Sequence, residues 1–277
     1  MTTTESPSSG ADERGDEASE LLQLAARLAR EAGTLVREGR AHGLVEPQTK
    51  SSVTDMVTEF DVRAERLIVT GILARRPADG VIGEEGTDRH GTSGIRWLVD
   101  PIDGTTNYWY GLAGYAVSIA AVDELGALVG AVHLPATDEL FTARRGHGAR
   151  LDGNTLHPSP TPTLAGALVG TGFSYVPERR VRQARRLADL IGRVRDVRRF
   201  GAAAADLCYV AAGRLDVYFE EYLNPWDMAA GELIAREAGC RTGNFAGGVA
   251  RPEEVLVTAP QLFEPMVALL AETAPSG

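Results

Sequence analysis

The 277-residue chain is 44% hydrophobic and 24% charged, enough apolar material to bury a core in one large domain or two joined halves. Its net charge of −10 argues against a general nucleic-acid binder, so an anionic ligand would need local positive charge from bound cations or helix N-termini. Cys208 and Cys240 fit no CxxC pattern or disulfide framework and point to a reducing, cytoplasmic setting, and no apolar run approaches a membrane span.

Residues 1–18 are rich in Thr, Ser, Gly, Asp and Glu and lack the basic start and apolar core of a signal peptide, so a disordered acidic tail is expected there. Order is expected from Ser19. Leu21, Leu24, Leu28, Leu35 and Val36 recur at helical spacing, with Gly39 as a stop. Residues 58–75 predict a second helix, with Thr58 and Asp61 spaced as a capping box. Short apolar runs at 81–82 and 96–99 predict strands that lead straight into acidic residues. Strands at 115–122, 127–134 and 139–143 follow with returns so short that they must pair antiparallel. The later part alternates: strand 167–171, helix 179–191, strand 197–200, helix 203–212, strand 217–220, helix 226–238, strand 255–258, helix 263–270. Sheets with helices in both halves predict a layered α/β (α+β) architecture. The run Pro158-Ser159-Pro160-Thr161-Pro162 marks the expected boundary between an N-terminal half, 19–157, and a C-terminal half, 158–277.

Acidic residues carry the chemistry. In Trp97-Leu98-Val99-Asp100-Pro101-Ile102-Asp103-Gly104-Thr105-Thr106-Asn107, a buried strand delivers Asp100 and Pro101 ends the pairing. Asp103 follows three residues later, so one turn can aim both carboxylates at one point. Gly104 and Thr105 then offer N–H groups and a hydroxyl. Hard cations such as Mg²⁺ take oxygen ligands and leave room for water and phosphate, so this string makes half of such a site. Asp-Pro and Asp-Gly alone would be turn chemistry; the eleven-residue string after an apolar strand is more than that. Val81-Ile82-Gly83-Glu84-Glu85-Gly86 places adjacent carboxylates at a strand end; taken alone it is an exposed acidic loop. In Asn224-Pro225-Trp226-Asp227-Met228-Ala229-Ala230-Gly231, Asp227 falls in the first turn of a helix, where the helix dipole alone would favour an acid. Lys50 through Asp61 supplies a polar loop and a helix cap. The five histidines form no HExxH, and no GxGxxG fingerprint appears. Phosphatases that form an aspartyl-phosphate use Asp-x-Asp-Gly-Thr; here Asp100 and Asp103 stand one residue further apart, which argues against that route.

Together the four segments resemble the inositol monophosphatase family of metal-dependent, lithium-sensitive phosphatases, over about 21–270. Asp100-Pro101-Ile102-Asp103-Gly104-Thr105-Thr106-Asn107 is the specific string, and Trp226-Asp227 supports it. The resemblance implies an α-β-α-β-α sandwich, a homodimer and two or three Mg²⁺ ions, while the acidic charge and the lack of a long apolar run leave no nucleic acid or membrane partner expected. It implies that Glu84, Asp100 and the Ile102 carbonyl hold one ion, and Asp100, Asp103 and Asp227 a second. Glu84, with Glu85, would lie at a third. Thr105, with Asp61 and Glu84, would orient or deprotonate the attacking water. Gly104 and Thr105 would receive the phosphate through their N–H groups, and Lys50 would stand near that end. Gly201, Ala203, Glu220 and Asp227 would contact sugar or inositol hydroxyls. Ala202 stands where many relatives carry Ser or Thr, which implies a lost hydroxyl near the substrate. The implied reaction is hydrolysis of a small phosphorylated polyol or sugar, foremost myo-inositol monophosphate. Histidinol phosphate, fructose 1,6-bisphosphate and 3′-phosphoadenosine 5′-phosphate are alternatives, decided by loops 108–114, 173–177 and 220–223. A non-catalytic regulatory or partner-binding protein is the alternative of another class.

Overall fold

The computed structural model describes residues 9–41, 48–49 and 56–273. Apolar residues alternate along its central strands, and each set faces a different layer. On β5 (Arg96–Asp103), Trp97 and Val99 join one core while Leu98 joins another. On β13 (Val217–Glu221), Val217 and Phe219 face one side and Tyr218 the other. Two sheets buried on both faces therefore need three helical layers.

The first helix, α1 (Ser9–Ala41), packs with α2 (Glu59–Arg75) on one face of the first sheet. Its Leu21, Leu24, Ala25, Leu28, Ala32 and Val36 are all buried, the i, i+3, i+4 stripe that periodicity predicts. The expected 1–18 tail is corrected over 9–18, which is helical. The stretch 11–20 holds three Glu and two Ala, good helix formers. Tertiary contacts then hold it: Ala18 is buried, and Arg76 donates to Glu17 at 2.7 Å. Gly39 does not end the helix. A side chain there would strike the Phe60 ring, so this glycine permits close packing against α2. The capping box is present: the Thr58 N–H donates to Asp61 Oδ2 at 2.8 Å, and the Phe60 N–H to Thr58 Oγ1 at 3.2 Å.

β1 (Gln48–Thr49) and β2 (Met56–Val57) form a small antiparallel pair. The large sheet adds β3 (Gly80–Gly83), β4 (Asp88–Arg89), β5, β6 (Ala116–Asp123), β7 (Gly126–Leu134), β8 (Glu139–Arg144), β9 (Ala149–Leu151) and β10 (Asn154–Thr155), in the order β10-β9-β8-β7-β6-β5-β3-β4. All its pairs are antiparallel except β3 with β5. A short helix, α3 (Thr105–Tyr110), follows β5 and was not foreseen, because six residues are too few to display a helical period.

The second sheet comprises β11 (Leu168–Thr171), β12 (Asp196–Arg198), β13, β14 (Arg241–Gly243) and β15 (Glu254–Thr258), in the order β12-β11-β13-β15-β14. The helices α4 (Pro177–Leu190) and α7 (Phe263–Glu272) cover its outer face. Between the sheets lie α5 (Ala203–Ala211) and α6 (Pro225–Glu237), whose Leu207, Leu233 and Ile234 share one core with Val132 of the first sheet and Val257 of the second. The order helix, sheet, helix, sheet, helix is the predicted sandwich. Among the described residues no helix is long and apolar enough to cross a membrane.

Candidate active site

The C-terminal end of β5 opens into a cleft. Between Asp100 and Asp103 the pairing with β6 slips: Asp100 opposes Ser118 and Asp103 opposes Ala116, so β5 carries an extra residue. Pro101 lacks an N–H and sits inside this bulge at no hydrogen-bond cost. The Asp100 side chain turns back to accept the Ile102 N–H at 3.0 Å. Gly104 then adopts φ 88° in the left-handed region. A Cβ there would also meet the Gly114 carbonyl oxygen at 2.8 Å, so only glycine fits.

Each remaining carboxylate is fixed by its own element. Glu84 follows β3, which runs parallel to β5, and its N–H donates to the Val99 carbonyl at 3.1 Å. Asp227 is the third residue of α6 and accepts the Asn224 N–H at 2.7 Å, a reciprocal cap that Asn224 completes. Asp103 Oδ2 accepts the Ala204 N–H at the start of α5, at 2.6 Å. Asp61, at the third position of α2, accepts from the Thr105 hydroxyl at 3.0 Å. The Ile102 carbonyl oxygen lies 3.0 Å from that same hydroxyl, so one proton serves two acceptors.

Glu84, Asp100, Ile102, Asp103, Gly104, Thr105, Gly201, Ala203, Glu220 and Asp227 all line the cleft. Asp61 is reached through Thr105. Glu85 is expected beside a metal but does not line the cleft; its N–H is bound to Glu65. Lys50 lies outside the described residues. Residues 173–176 and 220–223 line the cleft, whereas loop 108–114 does not. Ala202 is buried behind Gly104 at the N-cap position just before α5, where its side chain makes no cap, away from the cleft. What a hydroxyl at 202 could offer is an N-cap, and Asp103 supplies that acceptor instead.

The electrostatics are those of a crowded acid cluster. Burial, then the charges of Glu84, Asp103 and Asp227, push the Asp100 carboxyl well above its ordinary range. Burial and Asp227 do the same to Asp103, against the pull of the Ala204 N–H. Burial raises Asp227 to about 7, Glu220 to about 7 and Asp61 to about 6. Asp100, Asp103 and Asp227 have no cationic side-chain partner among the described residues. Among those residues no three His, Cys, Asp or Glu side chains close into a ready-made cage. The donor set is nevertheless all oxygen, with Asp100 buried and Asp103 and Asp227 half-buried around it, the chemistry that suits a hard divalent cation.

Several contacts here carry no sequence signal. Glu65, on α2, accepts from the Glu85 N–H at 2.7 Å, the Thr87 N–H at 3.1 Å and the Thr87 hydroxyl at 2.6 Å, clamping the turn that bears Glu84. Asn107 donates to the carbonyls of Gly114 and Phe200, both at 2.5 Å, tying α3 to the loop before α5. Tyr218 donates its hydroxyl to Glu220.

The model of the inositol monophosphatase family matches residues 17–274. The chain belongs to the inositol monophosphatase family. It is 41% identical to the inositol-1-monophosphatase SuhB of Mycobacterium tuberculosis over 276 residues, covering 92% of this chain and 94% of that one. It is 41% identical to the Nus factor SuhB of Vibrio cholerae over 230 residues, covering 82% and 86%. The solved Thermotoga maritima IMPase superposes with a TM-score of 0.83 at 31% identity, covering 92% of this chain and 98% of that one. As an inositol monophosphatase family member the chain is a phosphatase of small phosphorylated substrates, from a family that is generally metal-dependent.

Proposed function

We propose that the enzyme hydrolyses a phosphate monoester with Mg²⁺, and that myo-inositol monophosphate is its foremost substrate. The observation that carries this reading is the gathering of Glu84, Asp100, Asp103 and Asp227 in one cleft beside Gly104 and Thr105. Glu84, Asp100, Asp103, Asp227 and the Ile102 carbonyl would hold two or three ions. When bound, such ions supply Lewis-acid stabilisation and lower the pKa of water.

The chain's own groups do the rest. Asp61, with its carboxyl at about 6, is mostly ionised at neutral pH. It accepts the Thr105 proton, leaving the hydroxyl oxygen to take a hydrogen bond from the attacking water. Gly104 and Thr105 offer backbone N–H groups to the phosphate. Glu220, Gly201 and Ala203 bind the hydroxyls of the polyol. Glu220 titrates near 7, so it can both donate to and accept from hydroxyls. A homodimer is proposed on the resemblance, and the absence of a nucleic-acid partner on the net charge of −10; sedimentation tests the first.

The deciding experiment is a phosphate-release screen with Mg²⁺ on inositol 1-phosphate, histidinol phosphate, fructose 1,6-bisphosphate and 3′-phosphoadenosine 5′-phosphate. We expect fastest release from inositol 1-phosphate and none in excess chelator. Full release in chelator would remove the metal from the reading. A relative named as a Nus factor favours a second reading, a partner-binding role; no Mg²⁺-dependent release from any of the four would favour it.

A further inference from the structure

Gly172 and Glu220 line both the cleft and a smaller cavity of about 10 Å³ behind it, whose other walls are Thr171, Gln183, Arg186, Phe219 and Glu221. The Glu220 carboxyl lies close against Gly172. A Cβ built on Gly172 would strike the carboxyl carbon and both of its oxygens. The glycine is not required for its backbone angle, because its φ lies outside the left-handed region. What it supplies is room for the Glu220 carboxyl, which also accepts the Tyr218 hydroxyl.

Glu221 is the next residue on β13. Alternation along the strand sends it outwards with Val217 and Phe219, towards α4. There Arg186 donates to it at 2.6 Å. Arg186 is buried, its guanidinium carbon lies 4.9 Å from the Phe245 ring centroid, and its Nε has no partner among the described residues. Glu221 is therefore the carboxylate that meets this buried charge, and the pair pins the end of β13 to α4. Gln183, one turn earlier on α4, accepts the Ser174 N–H at 2.8 Å, so the same helix face also holds the 173–176 loop that lines the cleft. Removing one member of a buried ion pair leaves the other charge uncompensated, and the strand end then has to shift to hydrate it.

We propose that Gly172 and Arg186 are positioning residues for Glu220. Gly172 acts through the space it leaves for the carboxyl, and Arg186 by fixing the strand end that carries it. Together they set affinity for the hydroxyls of the polyol without reaching the phosphate. This rests on the reading of Glu220 as a polyol-binding carboxylate.

The test measures kcat and KM with Mg²⁺ for inositol 1-phosphate and for p-nitrophenyl phosphate, which has no polyol hydroxyls. The full chain is compared with E220Q, G172A, R186M and the double variants G172A/E220Q and R186M/E220Q. We expect G172A and R186M each to raise the inositol 1-phosphate KM about fivefold or more with kcat little changed, the mark of lost uniform binding. The p-nitrophenyl phosphate KM should stay within about twofold, and in the E220Q background neither substitution should add more than about twofold, because both act through the same carboxyl. A smaller rise, an equal rise with p-nitrophenyl phosphate, or a full additional rise on top of E220Q overturns the role of the residue concerned. If R186M fails to fold by circular dichroism, G172A decides by the same criteria. An inositol 1-phosphate KM unchanged in E220Q itself would overturn the reading of Glu220 and the positioning role with it. Release from neither compound in the wild type would overturn the phosphatase reading.

Discussion

At Asp100 four acids meet in one cleft, and burial, followed by the repulsion of Glu84, Asp103 and Asp227, drives that carboxyl well above its ordinary range. Asp100→Asn removes one charge and keeps the shape. We expect phosphate release to fall by orders of magnitude. The metal-free protein should nevertheless melt at the same or a higher temperature at pH 7, because like-charge repulsion is relieved. Calorimetric melting beside the activity assay checks both. Asp100, Asp103 and Asp227 were legible in sequence because each sits in a short string whose neighbours reveal its setting. Glu65 was not. Its significance lies in partners on another element, Glu85 and Thr87, and no local pattern encodes such a meeting.

α2 serves the site twice. Asp61 at its start meets Thr105, and Glu65 one turn later clamps the 83–87 turn. Glu65→Gln keeps one carbonyl acceptor and loses the second carboxylate oxygen. A buried donor left unmet costs about 1–3 kcal/mol, and the turn bearing Glu84 should loosen. We expect a lower melting temperature and a Mg²⁺ affinity roughly tenfold weaker by titration calorimetry, a magnitude typical of lost outer-shell support for a metal ligand. Unchanged affinity would show that Glu84 is placed without this clamp. Most elements were legible because their apolar periods are long and clean. The 9–18 turns of α1 were missed because a polar helical sequence resembles a tail until Glu17 and Ala18 find Arg76 and the core. α3, β4, β9, β10 and β14 were missed because they are too short to show a period and exist through the sheet or loop beside them.

For the molecule as a whole, the raised carboxyls fix the sign of its pH response. Asp61 at about 6 and Asp227 and Glu220 at about 7 bind more protons folded than unfolded. The metal-free protein should therefore be most stable near pH 4–5 and lose stability as pH rises towards 7, the reverse of a salt-bridged carboxylate. Carboxyls lowered by arginine partners, Asp123 by Arg145 and Glu139 by Arg214, act only at the acidic end, where stability is lost as they protonate. Mg²⁺ should flatten the decline above pH 5. Thermal melts from pH 4 to 8, with and without Mg²⁺, check this, and a metal-free maximum at pH 7 or above would contradict it.

The middle layer has a mechanical consequence. α5 and α6 are wedged between the sheets, and their core draws side chains from both, while the chain crosses from one sheet to the other only through the stretch after β10. Gln261 fastens that stretch by donating to the Ser159 and Thr161 carbonyls at 3.1 and 2.6 Å. A protease nick at 156–163 should consequently yield a two-piece enzyme: fragments that part on a denaturing gel, yet travel as one particle through a native column and still turn over substrate.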